Sequence, residues 1–223
     1  AYQPQRQKNM PTVNPELVEA FCAKAALVNA VVQELPNMEA TLQYVVDVCE
    51  QKSPAEMLDD EPGTPKGPLG PNKVPTRVQK IVAAPSLDDA DYAVLEKECQ
   101  EKGFLCIKNG LRKYLAGIDV GLSFAEAGVA ASGTCMVDND NEDVRLAGMI
   151  SEINIIVLKK SEIYPDLPSI ADLLRKRMSS YLGTFTTLIT GPSRTADIER
   201  VAAVGVHGPL ELHIILLEDQ HNA

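Results

Sequence analysis

Apolar residues along this chain come in short blocks that switch between a helical period and the tighter period of strands. Asn14-Pro15-Glu16 supplies an N-cap amide, a first-turn proline and an acid that suits a helix dipole, which predicts a helix over about 15–28. Residues 29–35 are rich in β-branched side chains and stop at Pro36, so they predict a strand, unless the first helix runs on to Leu35; a helix over 38–51 follows. The pattern repeats as a strand over 80–84 stopped by Pro85, a charged helix over 88–102 ending at Gly103, and a strand over 104–107. Residues 118–123 and 128–137 are β-leaning segments of small residues joined by a turn. Residues 153–158 form a nearly continuous apolar run, the mark of a strand covered on both faces. Over 169–182, Ile170, Leu173, Leu174, Met178, Tyr181 and Leu182 share one helical face, with Gly183 as the stop. A strand over 187–190, a short helix over 196–204 and an apolar strand over 211–217 complete the series. Such alternation predicts an α/β fold with a mostly parallel sheet and helices on both faces.

Two stretches break the rhythm. Residues 1–14 read as a polar tail before a single domain over 15–223. Residues 53–76 hold six prolines and three glycines, a density that predicts a long surface loop without regular structure, either a linker or a lid.

Composition narrows the function. With 21 basic against 31 acidic residues the formal charge is −10, which leaves no source for the phosphate neutralisation that nucleic-acid binding needs. Five scattered cysteines, with no CxxC pair, fit reduced thiols in a cytoplasmic protein and offer no cluster-binding motif. No run is apolar and long enough for a membrane span or a secretory signal. Walker, GxGxxG, GxSxG and HExxH patterns are absent. The acidic run 138–143 begins like a calcium loop but has Asp143 where glycine belongs and Met149 where the closing glutamate belongs, so it reads as a solvated hairpin tip and no metal is expected.

Candidate chemistry lies at the carboxyl ends of strands. Gly191-Pro192-Ser193-Arg194-Thr195-Ala196-Asp197 leads from a strand toward a helix and offers backbone N–H groups, two hydroxyls and a guanidinium to an anion. Helix capping alone explains the hydroxyls and Asp197 but not Arg194. One charge-assisted hydrogen bond is worth roughly 2 kcal/mol and a helix terminus about 0.3–1 kcal/mol, less together than the ~4 kcal/mol of a millimolar complex. Further contacts are therefore needed, and the small-residue turn through Ser132, Gly133 and Thr134 is a candidate, although a hairpin would use the same glycines. His207, in the turn before Gly208-Pro209, is a candidate acid/base, and Glu126 a candidate base or nucleophile against the plainer reading of an exposed carboxylate. His213 sits in an apolar strand and reads as a packing residue, and His221 as part of a charged tail.

In order, Gly128 to Thr134, Ile153 to Leu158, Gly191-Pro192-Ser193-Arg194-Thr195-Ala196-Asp197-Ile198-Glu199 and Val206-His207-Gly208-Pro209-Leu210-Glu211-Leu212-His213 resemble the LUD-domain family of lactate-utilisation proteins (LutC/YkgG-like) over about 115–218. The resemblance implies a fold related to the sugar-phosphate isomerase (NagB/RpiA) and CoA-transferase-like superfamily. It further implies a part in oxidising lactate to pyruvate beside iron–sulfur partner proteins that carry the clusters, with no cofactor intrinsic to this chain and a small carboxylate or phosphate ligand in the crevice. Two departures stand out: Ala131 replaces the acid that the family carries before Thr-Gly-Thr, and the 53–76 segment is longer than usual. Whether the chain is itself an enzyme stays open. A stand-alone sugar-phosphate or acyl-CoA enzyme and a metabolite-sensing module, with 53–76 as its mobile part, are the competing expectations.

Overall fold

The structure, a computed structural model, describes residues 13–57, 59, 61, 63–180, 184–195, 203, 204 and 208–219. α1 (Pro15–Leu27) starts where the sequence places it, with the Asn14 side chain accepting from the Glu16 N–H at 3.0 Å. Asn29 turns the chain at φ 64°, which separates α1 from β1 (Val31–Leu35). α2 (Met38–Gln51) is capped by Asn37, whose side chain accepts from Ala40 N–H at 2.9 Å. β2 (Lys66–Leu69), β3 (Pro75–Arg77), β4 (Ile81–Ala83), α3 (Asp89–Glu101) and β5 (Leu105–Ile107) follow. The remaining elements are β6 (Ile118–Val129), β7 (Thr134–Asp138), α4 (Glu142–Ile150), β8 (Ser151–Lys159), β9 (Ile163–Tyr164), α5 (Ala171–Ser180), β10 (Thr186–Ile189), β11 (Arg194–Thr195), β12 (Ala203–Val204) and β13 (Glu211–Leu217).

Six strands lie in the order β1-β13-β8-β6-β4-β5, and every neighbouring pair is parallel. β7 and β10 extend the far half of β6 as an antiparallel ribbon, so the sheet is mixed and mostly parallel. Side chains of the central strands alternate between two cores. Ile153, Ile155, Val157 and Ile215 meet Leu42 and Val45 of α2 and Leu95 of α3. Ile156, Leu158, Leu212 and Ile214 meet Val18 and Phe21 of α1 and Val144 of α4. Helices thus cover both faces, which is why these strands are apolar throughout.

One buried carboxylate ties the sheet to the segment before β2. Asp119, at the start of β6, accepts from Ala55 N–H and Ile81 N–H at 2.8 Å each and from the Lys52 ammonium at 2.7 Å. Lys52 also pairs with Glu152 at 2.9 Å. Burial alone would pull the Lys52 ammonium down, but Asp119 and Glu152 outweigh it and hold the group above the usual lysine value.

Residues 53–76 depart from the expected irregular loop. β2 and β3 pair as an antiparallel hairpin, and Glu56 accepts from the Asn72 backbone N–H at 2.8 Å and its side-chain amide at 2.7 Å. Arg77, buried in β3, forks onto Glu61 at 2.7 and 3.0 Å and donates from Nε to Gly117 C=O at 2.7 Å. Ion pairs between residues far apart in sequence supply the anchoring that proline-rich backbone lacks, and periodicity does not report them.

Three other expectations are revised. Residues 118–129 form one long strand with a bulge near Ala125 and Ala127, and the turn comes only after Val129; the glycine at 128 serves a close approach to Leu158 within the strand and not a turn. The acidic run 138–143 is no hairpin tip: Asn141 caps α4, Asp143 accepts from Gly110 and Leu111 N–H groups, and Asp138 and Asp140 grip Arg177. Where a helix was expected over 196–204, Ala203 and Val204 pair instead with Arg194 and Thr195, and 196–202 lie outside the described residues. The helix expected over 169–182 is observed as α5 behind a 3₁₀ turn, with Met178 exposed; Tyr181, Leu182 and Gly183 lie outside the described residues, as do His221 and most of the amino-terminal tail.

Two outcomes are expected. Asp119→Ala leaves two buried backbone donors unpaired and the Lys52 ammonium with Glu152 as its remaining carboxylate, and should cost on the order of 3–5 kcal/mol in urea denaturation. Arg77, Ala116 N–H and Thr64 outweigh the upward pull of burial and hold the Glu61 carboxyl below its usual 4.5. That stabilisation is complete above the unfolded-state value and is lost as the pH falls through the lowered folded one, so Glu61→Gln should flatten the acid limb of the stability–pH curve.

Candidate functional site

A cavity of about 440 Å³ opens on the α1/α4 face of the sheet. Its floor is Asn154 of β8 and Leu212 of β13; α4 forms one wall with Val144, Arg145, Gly148 and Met149. The ribbon forms the other wall through Val137 and residues 187–189, and the rim is built from Thr190, Gly191, Pro192, Ser193, Gly208 and Pro209. Most of the lining is apolar, and the size lies in the ~300–1,000 Å³ range of small-molecule sites.

Its polar groups are few and specific. Asn154 is 1% exposed, and among the described residues its Oδ1 has no hydrogen-bond partner. Leaving a buried acceptor unpaired costs about 1–3 kcal/mol, a penalty that packing alone gives no reason to keep. Arg145 donates from Nη1 to the Asn139 and Asp140 carbonyls at 2.5 and 3.1 Å and lies 4.8 Å from the Phe185 ring centroid. Among the described residues it makes no ion pair; Glu142, one turn earlier, feels its charge but is itself forked by Arg112. A cation thus faces the cavity without a carboxylate of its own. Neither residue is part of the sequence-derived site. The available signal was a lone asparagine inside the apolar run 153–158.

The two glycine-rich strings do converge here. Ser193 N–H donates to Pro209 C=O at 3.0 Å, and a Cβ on Gly208 would sit 3.1 Å from that of Ser193. Ser132, Thr134 and Thr190 form a hydroxyl chain with steps of 2.6 and 2.7 Å that joins the earlier turn to the rim. Gly133 (φ 65°) and Gly191 (φ 74°) both press against the end of α1: a Cβ on the first would collide with the Ala25 backbone, and one on the second would come within 2.6 Å of Val28 O. The strand before Gly191 is β10, antiparallel to β7, so this turn is not at the carboxyl edge of the parallel sheet. Arg194 is exposed, does not line the cavity and donates to Val28 C=O at 2.9 Å, the position of a cation on a helix C-terminus. Thr195 lies in β11; Asp197 and His207 are outside the described residues.

A family model described as the LUD domain matches residues 18–217. The chain belongs to the LUD-domain family. Among curated relatives, lactate utilization protein C 1 of Bacillus mycoides is 33% identical over 110 residues, 48% of this chain and 47% of that protein. The uncharacterized protein YkgG of Escherichia coli is 33% identical over 102 residues (45% and 44%), and lactate utilization protein C of Bacillus subtilis 33% over 104 (46% and 43%). Each match thus spans under half the length of the curated relative. A crystal structure of a DUF162 family protein from Deinococcus radiodurans shares the fold, with a TM-score of 0.50 and 14% identity over 93% of this chain and 99% of that one.

Elsewhere in this LUD domain, Glu126 lies away from the glycine strings, on a second cavity of about 460 Å³ with Lys159, Tyr164 and Leu217 at the carboxyl edge of the parallel strands. Its Oε1 pairs with Arg177 at 2.8 Å, and its buried Oε2 has no partner among the described residues. Burial and the neighbouring Glu162 push the Tyr164 hydroxyl up. His213 is buried and satisfied, with Tyr44 Oη at 2.9 Å and Glu211 Oε2 at 3.0 Å, as a packing histidine should be.

Close approach, rather than φ alone, sets the demand for glycine at 133. Gly133→Ala should cost roughly 3 kcal/mol or more, whereas Gly103→Ala, also at positive φ but with open space around its Cβ, should cost about 1 kcal/mol, both read by urea denaturation. Arg194→Ala removes one exposed hydrogen bond and should cost less than about 1 kcal/mol on the same assay.

Proposed function

We propose that this LUD domain serves the oxidation of L-lactate to pyruvate, as a subunit or accessory protein beside iron–sulfur partners, and that the cavity at Asn154 and Arg145 binds a small anionic ligand in that role. Family membership and the names of the relatives support the first half. The observation that carries the second is the convergence of both family strings on a cavity that holds a cation without a counter-carboxylate. Arg145 replaces Arg194 as the residue expected to hold the anion.

Lactate loses two electrons and two protons on becoming pyruvate, so some centre must accept them. The cysteines of this chain are poor ligands for such a centre, because ligation takes the thiolate and burial disfavours it. Burial, reinforced by Asp119, pushes the Cys49 thiol up to about 12, and burial alone does the same to Cys135. Cys99 and Cys106 are also core residues; their mutual hydrogen bond pushes the Cys99 thiol up and, with Tyr92, holds the Cys106 thiol below its ordinary value, so Cys106 is excluded by its burial alone, and only Cys22 is partly accessible. The electrons are therefore assigned to partner proteins. A second reading, a stand-alone enzyme acting on a phosphorylated sugar or an acyl-CoA, is favoured by the unpaired Glu126 oxygen at the carboxyl edge of the sheet, the usual place for chemistry in open α/β folds.

Tagged protein is expected to co-purify iron–sulfur proteins, and deletion of its gene to impair growth on lactate but not on glucose. Growth restored equally by wild type and Arg145→Ala would remove the anion site from the reading, and unimpaired growth together with no such partners would reject it. Stabilisation by sugar phosphates or acyl-CoA at millimolar concentration, lost in Glu126→Gln, would favour the enzyme instead.

A further inference from the structure

Three features of the cavity describe its occupant more closely than the word anion. The first is Asn154, an amide acceptor in the middle of a central parallel strand, 1% exposed and unpaired among the described residues. The oxygen has no surface open to the cavity and the amide nitrogen is the end nearest Gly148, so a half-turn of the amide, which exchanges its two ends, presents the acceptor to a ligand that brings its own N–H or O–H. The second is Gly148, a glycine inside α4 directly across from it. A Cβ there would meet only Asn154 Nδ2, at 3.8 Å, so neither crowding nor backbone strain demands glycine, and helix propensity argues against it. Its effect is to leave room. The third is the balance of size and lining. About 440 Å³ bounded by Val137, Val144, Leu188, Ile189 and Leu212 would leave lactate, with three carbons, adrift among apolar walls.

Resting on the proposal that this cavity is the ligand site of the domain, we propose that it takes an amphipathic small molecule larger than lactate. Its body is aromatic or otherwise apolar, one N–H or O–H donor reaches Asn154 Oδ1, and a carboxylate or similar anionic group is held by Arg145. Lactate itself is not the occupant. Asn154 and Gly148 are then positions where folding stability has been given up for binding, so their apolar or bulkier replacements stabilise the empty protein while closing the site.

Four probes separate the possibilities: indole-3-acetate, which has both donor and carboxylate; 1-methylindole-3-acetate, which lacks only the donor; lactate; and inorganic phosphate. Calorimetric titration and thermal melts would compare wild type, Asn154→Leu, Gly148→Ala and Arg145→Ala. Indole-3-acetate is expected to bind wild type at millimolar concentration or below, and its N-methyl form about tenfold more weakly, the equivalent of one hydrogen bond to the amide. Asn154→Leu should abolish that difference. Without ligand, both Asn154→Leu and Gly148→Ala should melt roughly 2–4 °C higher than wild type, and both should bind indole-3-acetate more weakly. Equal binding of the two indoles, or unchanged or lowered melting of the free Asn154→Leu and Gly148→Ala proteins, overturns the inference. If lactate or phosphate binds wild type as well as indole-3-acetate does, and Arg145→Ala abolishes it, the anion site stands and the amphipathic occupant falls. Failure of all four probes to bind overturns both.

Discussion

β8 lies between β6 and β13, and helices cover it on both faces, so apart from the cavity above Asn154 its middle is packed away from water. Every side chain there must therefore be apolar, be paired, or carry a penalty. Ile153, Ile155, Ile156, Val157 and Leu158 take the first course, and together they bind the two cores into one body. Asn154 takes the last. The cavity owes its floor to the same burial that makes the amide costly, so the strand that joins the two cores is also where the candidate binding chemistry is expensive to keep.

Much of the architecture was legible because its signals are local. Asn14, Asn37 and Asp88 each precede a helix and each accepts from the first turn, and the apolar blocks at 153–158 and 211–217 mark strands buried on both faces. What escaped depends on partners distant in sequence. The hairpin within 53–76 is held by Arg77 and Glu61, and the acidic run before α4 read as loop because its acids serve Gly110, Leu111 and Arg177, more than thirty residues away. At the site, the turn through Gly133 was read as a place of close approach and Gly191, Ser193 and Gly208 as parts of a ligand site; Gly133 and Gly191 press on helix α1, while Gly191, Ser193 and Gly208 line the cavity rim. Arg194 looked like an anion clamp because a guanidinium is surplus to an N-cap; it serves the other end of a different helix. Asn154 and Arg145 carried no motif, and only the three-dimensional setting shows one as unpaired and the other as lacking a carboxylate.

The end of α1 is a meeting point for the family strings. Gly133 packs on Ala25, Gly191 on Val28, and Arg194 on the Val28 carbonyl, while the hydroxyls of Ser132, Thr134 and Thr190 link the two turns. These contacts fix the rim of the cavity, Thr190 and Gly191 included, relative to the sheet. Family-specific residues thus divide into those that build the mouth and those that would touch what enters it.

The pairing of β1 with β13 joins the first strand of the sheet to the last, Val31 beside His213 through Leu35 beside Leu217. Among the described residues β1 has no other neighbour in the sheet. During vectorial synthesis β1 therefore emerges long before its partner: Phe21 and Ala25 of α1 can pack on β6, β7 and β8 once these are made, but β1 has no strand to pair with until the carboxyl-terminal strand has been made. A chaperone or a slow translational pause would act on this interval, and a nascent chain stalled before residue 211 would leave the β8 and β1 edges that β13 joins as sticky, unfinished strands.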